Sequence, residues 1–190
     1  QVGQQTFTDI VKTVQPTIVA LLARASGPRA ADLRAHLGWA DYLRSRDGAG
    51  DTDPPAHYRR ALQDDPGNVY AHAMWGHQLM MANRDAEALS HFDAAVASQR
   101  ERPFVRTMQL SSTTSRIGLA PHAVRVADEM RRQREPLDPG MPGRLWFIAY
   151  YGLLFNASAG TRAQFLALLP AGDHLATFDW LFPTASAIGG

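Results

Sequence analysis

The chain has 190 residues, 45 % of them apolar and 19 % charged, with a formal charge of +1. That is apolar material for one domain or a short array of repeats; it excludes an intrinsically disordered polymer, and the near-neutral charge offers no electrostatic footprint for nucleic acid. The absence of cysteine excludes disulfides, zinc–thiolate sites and thiol catalysis, while the 30 alanines favour helix over sheet. In chain order, residues 5–25 form the first predicted helix. It is apolar along one side through Ile10, Val11, Val14, Ile18, Val19, Leu21 and Leu22. Pro16 predicts a break or kink near Gln15, and the stretch is too short and too interrupted to span a bilayer. Helical hairpins follow over 30–66, 67–102 and 103–134. Within the first, the Gly/Asp-rich stretch Arg46–Asp53 reads as a loop, with Asp53 as an N-cap and Pro54 opening a short second helix. Within the second, helices are expected over Val69–Ala82 and Asp85–Gln99, with Asn83 taking the left-handed turn between them. In the third they are expected over Phe104–Arg116 and Pro121–Arg134, parted at Gly118. A capping hairpin over 144–170 and a docked tail over 171–190 complete the series.

The second hairpin carries the clearest pattern. Trp75, Gly76 and Leu79 share one face of its first helix, and Ala88, Phe92 and Ala95 share one face of its second. Gly76 opposite Ala88 lets two helix backbones approach closely. Those positions resemble the tetratricopeptide repeat, W-x2-L-G-x2-Y…A-x3-F…P. Trp75-Gly76 stands for its Leu-Gly pair, Leu79 for its Tyr, and Ala88 and Phe92 for its A-x3-F; Asp65-Pro66 resembles the close of a preceding repeat. His72 and Arg100 depart from the pattern. Leu37-Gly38, Tyr58 and Ala61 are a weaker echo upstream, Leu110-Ser111 and Tyr151-Gly152 weaker echoes downstream. The resemblance implies an all-α fold: a right-handed superhelix of three to four stacked hairpins, with an extra N-terminal helix and a docked C-terminal tail.

Candidate chemistry is sparse. His72, His77 and His91 crowd one hairpin, but there is no His-Glu-x-x-His and the helical offsets do not suit a metal. There is no Gly-x-Ser-x-Gly nucleophile and no phosphate-binding glycine loop. The hydroxyl run Ser111–Ser115 reads as side chains bonded back to helix carbonyls or facing water. Asn156-Ala157-Ser158 is a formal glycosylation triplet of the kind that arises by chance. No catalytic residue, metal or cofactor is assigned.

The resemblance implies, instead, protein–protein interaction across a concave surface lined by the first helix of each hairpin. On the side away from Trp75, Gly76 and Leu79 lie Tyr70, His77, Met80 and Met81; Trp39 and Tyr42 are their equivalents in the preceding hairpin, Met108 and Arg116 in the following one. This apolar stripe suits a peptide or a helix, because methionine adapts its shape and aromatic rings contribute area at little entropic cost. Two readings stay open: an exposed groove, or core packed beneath a neighbour. Ala35, Trp39, Ala73 and His77 stand where carboxylate-clamping members of the family would need Lys, Asn and Arg. The expected partner is therefore a protein or peptide, including a second copy of the chain, with no nucleic acid and no membrane insertion by this segment. Successive blocks of the chain carry charges of +3 (1–46), −5 (47–98), +4 (99–144) and −1 (145–190), either solvated faces or guides for a charged partner. A chain opening on Gln1 predicts an upstream segment removed by processing or by choice of fragment. The Arg-rich composition, in which Lys12 is the only lysine, suggests a high-GC bacterial gene; cytoplasm and periplasm both stay open. The alternative function is an extracytoplasmic sensing or membrane-proximal domain of a larger bacterial protein.

Overall fold

A computed structural model describes residues 6–113, 116–135, 158–161 and 163. The described residues form an all-α structure. Helices α1 (Phe7–Leu22), α2 (Gly27–Arg46), α3 (Pro54–Asp64), α4 (Val69–Met81), α5 (Asp85–Ala97), α6 (Arg102–Thr113) and α7 (Ala120–Gln133) follow one another, with a 3-10 turn over Ile117–Leu119 before α7. The expected capping hairpin and tail lie outside the described residues, apart from the few around Ser158–Thr161.

Local chemistry sets the helix ends. Thr6 and Asp9 form a reciprocal capping box at the start of α1. Asp53 accepts from the Ala56 amide at 3.1 Å and starts α3, and Asn68 accepts from the Ala71 amide at 2.9 Å and starts α4. Asn83, at φ 61, turns the chain between α4 and α5. Asp85 and Glu87 place negative charge at the amino end of α5. The expected break at Pro16 does not occur, since α1 runs through it as one element. Pro16 and Lys12, whose carbonyl loses its helical donor, are both exposed, so water can take that carbonyl.

Each helix packs on its successor, and the packing relations recur. Helix α2 contacts α3 and α4, and α3 contacts α4; one hairpin later α4 contacts α5 and α6, and α5 contacts α6. Helix α1 lies against α2, and α7 against α6. Small residues permit the close approaches. Ala73, Ala88 and Ala95 are fully buried around Phe92 and Met80, while Ala31, Ala35, Ala61 and Ala71 are buried around Tyr58 and Met74. Polar contacts fix the offset of one hairpin on the next. The Asn68 side-chain amide donates to Asp32 at 2.7 Å, and Arg100 lies 3.5 Å from both Asp32 and Asp65; within the first hairpin, Arg34 of α2 pairs with Asp64 of α3. Two members of the hydroxyl run bond back within α6: Thr113 donates to the Gln109 carbonyl at 2.8 Å and Ser111 to that of Met108 at 3.1 Å.

Candidate functional site

The aromatic stripe expected to line a groove assembles in space. The Trp39 ring lies 5.1 Å from Tyr42 and 5.4 Å from His77, and Tyr42 lies 5.8 Å from His77. The Tyr70 ring sits between His36 at 4.9 Å and Phe104 at 5.6 Å. His77 Nδ1 is 2.9 Å from the hydroxyl of Ser112, which ties α4 to α6. Burial, and to a lesser degree Arg46, lowers the pKa of His77 to about 4. Its imidazole is therefore neutral at pH 7.

Of the two readings of this stripe, groove or core, three positions are core and are not open to a partner. Tyr42 is 7 % exposed, Met80 0 % and Met108 8 %. The reason is the number of neighbours: α4 touches α2, α3, α5 and α6, so the side facing away from α5 is covered by the adjoining first helices. Trp39, Tyr70 and His77 are half-buried in the same layer. Arg116 is half-buried too, but its guanidinium is committed to Asp85 at 2.8 Å and to the side-chain oxygen of Asn83. Met81, at the carboxyl end of α4, is 42 % exposed.

The larger exposed apolar surface is on α1. Val11 is buried and Ile18 and Leu22 are half-buried, whereas Phe7, Ile10, Val14 and Leu21 stand outward at 39 to 44 % exposure and Val19, on the other flank of the helix, at 51 %. The sequence shows α1 as apolar along one side, but the apolar arc is wider than one helix contact covers, and only the packing reveals which part is left over. Phe7, Ile10, Val14 and Leu21 fall at i, i+3, i+7 and i+14, the spacing of a two-helix seam. The Phe7 end is held in place: its backbone neighbour Thr8 donates to Asp47 at 2.6 Å, and the Arg46 guanidinium lies 5.5 Å from the Phe7 ring centre.

Two polar contacts are not foreseen from the sequence, although His72 and His91 are noted there as sharing a hairpin. His72 on α4 and His91 on α5 approach with their Nδ1 atoms 2.8 Å apart. Arg106 on α6, 2 % exposed, reaches Glu129 at 2.9 Å, Gln109 at 3.0 Å and Glu135 at 3.2 Å, and Arg102 also bonds Glu135. The His72–His91 contact and the Arg106–Glu129 and Arg106–Glu135 pairs follow no spacing rule, because each joins different elements. Among the described residues no group of three or more His, Asp or Glu side chains is placed to hold a metal ion. No helix among them is long and apolar enough to cross a membrane. No family model matches the chain, and no curated protein or solved structure matches it.

Proposed function

We propose that the chain is a tetratricopeptide-like stack of hairpins in a right-handed superhelix that binds an amphipathic helix of a protein partner and catalyses nothing. Support for the stack is the recurrence of one contact. Gly38 of α2 lies under the ring of Tyr58 of α3, and Gly76 of α4 lies under the ring of Phe92 of α5. Tyr58 to Phe92, like Ala61 to Ala95, is 34 residues, the period of that repeat family.

The observation that carries the binding reading is the concentration of exposed large apolar side chains on α1, at the spacing of a helix–helix seam. Exposed apolar strips on a chain with an otherwise packed core mark interaction surfaces. Met81, with the half-buried Trp39, Tyr70 and His77, forms a second, smaller surface. The test is panning of a displayed library of helical peptides on the immobilised protein. Amphipathic helices should be enriched, and their affinity should fall at least tenfold for Val14→Ser at unchanged melting temperature, since a central apolar anchor typically contributes 2 kcal/mol or more. No enrichment, or binding indifferent to both Val14→Ser and Met81→Ser, would overturn the reading. Competition by the free protein itself would identify the partner as a second copy.

A further inference from the structure

We propose that the partner of the exposed α1 face is the α1 of a second copy of the chain, laid antiparallel about a two-fold axis. This rests on the reading of α1 as a helix-binding surface. Heptad spacing sets the register. Phe7, Val14 and Leu21 take the first core position of successive heptads, and Ile10, Thr17 and Arg24 take the second. All six are exposed. In an antiparallel pair, first-position residues meet second-position residues. Ile10 then meets Leu21 of the second copy, Val14 meets Thr17, and Phe7 meets Arg24. The two-fold axis repeats each contact, as an isologous interface requires. Small β-branched residues stand at the centre and larger side chains outside them, in both copies alike.

Flanks and charges favour a copy over a foreign helix. One flank of the seam is Thr13 and Ala20, small and exposed, which lets a second backbone come close; the other is Val11 and Ile18, on the side packed against α2. Asp9 and Lys12 lie off the seam, so Arg24 is the one charge on it. The two ends of the α1–α2 pair differ in sign. At the amino end of α1, Asp9 and Asp47 are exposed, Asp47 accepting from the Thr8 amide, against one arginine, Arg46. At the carboxyl end, Arg24 and Arg29 of the first turn of α2 are exposed, with no acidic residue between Ala23 and Ala31. Antiparallel pairing brings the Arg24–Arg29 end of each copy to the Asp9–Asp47 end of the other. A parallel pair would set Arg24 against Arg24 and Asp9 against Asp9. A single helix seam is smaller than the standard interface of about 800 Å² per partner, so the dimer is weak and reversible, dissociating in roughly the micromolar range.

The test is sedimentation equilibrium of the protein over about 1 µM to 1 mM. The wild type should pass from monomer to dimer. Ile10→Asp and Arg24→Glu should weaken the dimer at least tenfold, while Val19→Asp, exposed but off the seam, should leave it within about twofold. Orientation is read with single cysteines, since the chain has none of its own. With a short bismaleimide, a mixture of the Ile10→Cys and Leu21→Cys proteins should give mixed crosslinked dimers, and each protein alone should give few. Self-linking of Ile10→Cys ahead of the mixed product, or a loss in Val19→Asp equal to that in Ile10→Asp, would overturn the arrangement. Should Ile10→Asp or Arg24→Glu not fold, the cysteine mixture decides. A wild type that stays monomeric yet enriches amphipathic peptides in the panning would overturn the second copy alone. One that also enriches none would overturn the binding reading with it.

Discussion

Gly38 and Tyr58 meet at a distance that only glycine permits: a Cβ built on Gly38 would stand 2.7 Å from Cε1 of the fully buried Tyr58 ring. The ring is walled in by Trp75, on which it stacks. At Gly76 the equivalent Cβ would be 3.2 Å from the Ala88 carbonyl oxygen and 3.3 Å from the Phe92 ring, tight but within reach of a small adjustment.

The two glycines should therefore answer differently to alanine. In an open helix the exchange gains about 1 kcal/mol, while overpacking costs about 1–3 kcal/mol. Gly38→Ala is expected to lower the melting temperature by several degrees, and Gly76→Ala by less; Gly76→Leu should be as damaging as Gly38→Ala or worse. Thermal unfolding of the three variants checks the order. Equal and negligible effects would mean that the helix contacts are not as close as described.

A second prediction concerns the α6–α7 ion network. Burial alone would raise the Glu135 carboxyl, but hydrogen bonds from Arg106 and Arg102 outweigh it and hold the group below the usual carboxylate range. Arg106→Met removes the larger share of that compensation from a carboxylate whose side chain is 7 % exposed. Loss of one partner from a buried pair costs on the order of 3 kcal/mol, whereas an apolar replacement of both is often neutral. Urea unfolding of Arg106→Met should show that loss, and Arg106→Met combined with Glu135→Met should recover most of it. A single-variant cost below about 1 kcal/mol, the range of surface pairs, would contradict the description.

The third concerns His77. Its folded pKa is depressed to about 4, chiefly by burial, so the unfolded chain binds its proton first as the pH falls. Stability from this group is complete above pH 6.5 and declines toward pH 4; at pH 5 the loss is on the order of 2 kcal/mol. His77→Gln, which cannot titrate, should flatten the fall in urea midpoint between pH 7 and pH 5. An unchanged slope would mean that His77 reaches water in the folded state.

Much of the local structure could be read from the residues alone. Asp53-Pro54, Asn68 and Asn83 mark helix starts and a turn by chemistry that acts within a few residues, and the observed ends of α3, α4 and α5 follow them closely. Gly76 against Ala88 and Phe92 was equally legible, because helical spacing places small and large residues on faces that must meet. Pro16 does not end α1: its cost within a helix is real, but the capping box and the packing on α2 outweigh it.

What only the tertiary structure decided is which apolar face stays uncovered. Tyr42, Met80 and Met108 share their pattern with side chains that reach solvent, and periodicity marks an apolar side without counting the neighbours that will cover it. Helix α4 lies among four helices, which bury Met80 and half-bury Tyr70 and His77; α1 packs on α2 and leaves Phe7, Ile10, Val14, Val19 and Leu21 in water. The His72–His91 contact and the Arg106–Glu135 pair were likewise beyond the sequence. Each joins residues of different elements, 19 and 29 positions apart, and the approach of those elements, not any spacing along one helix, sets the distances.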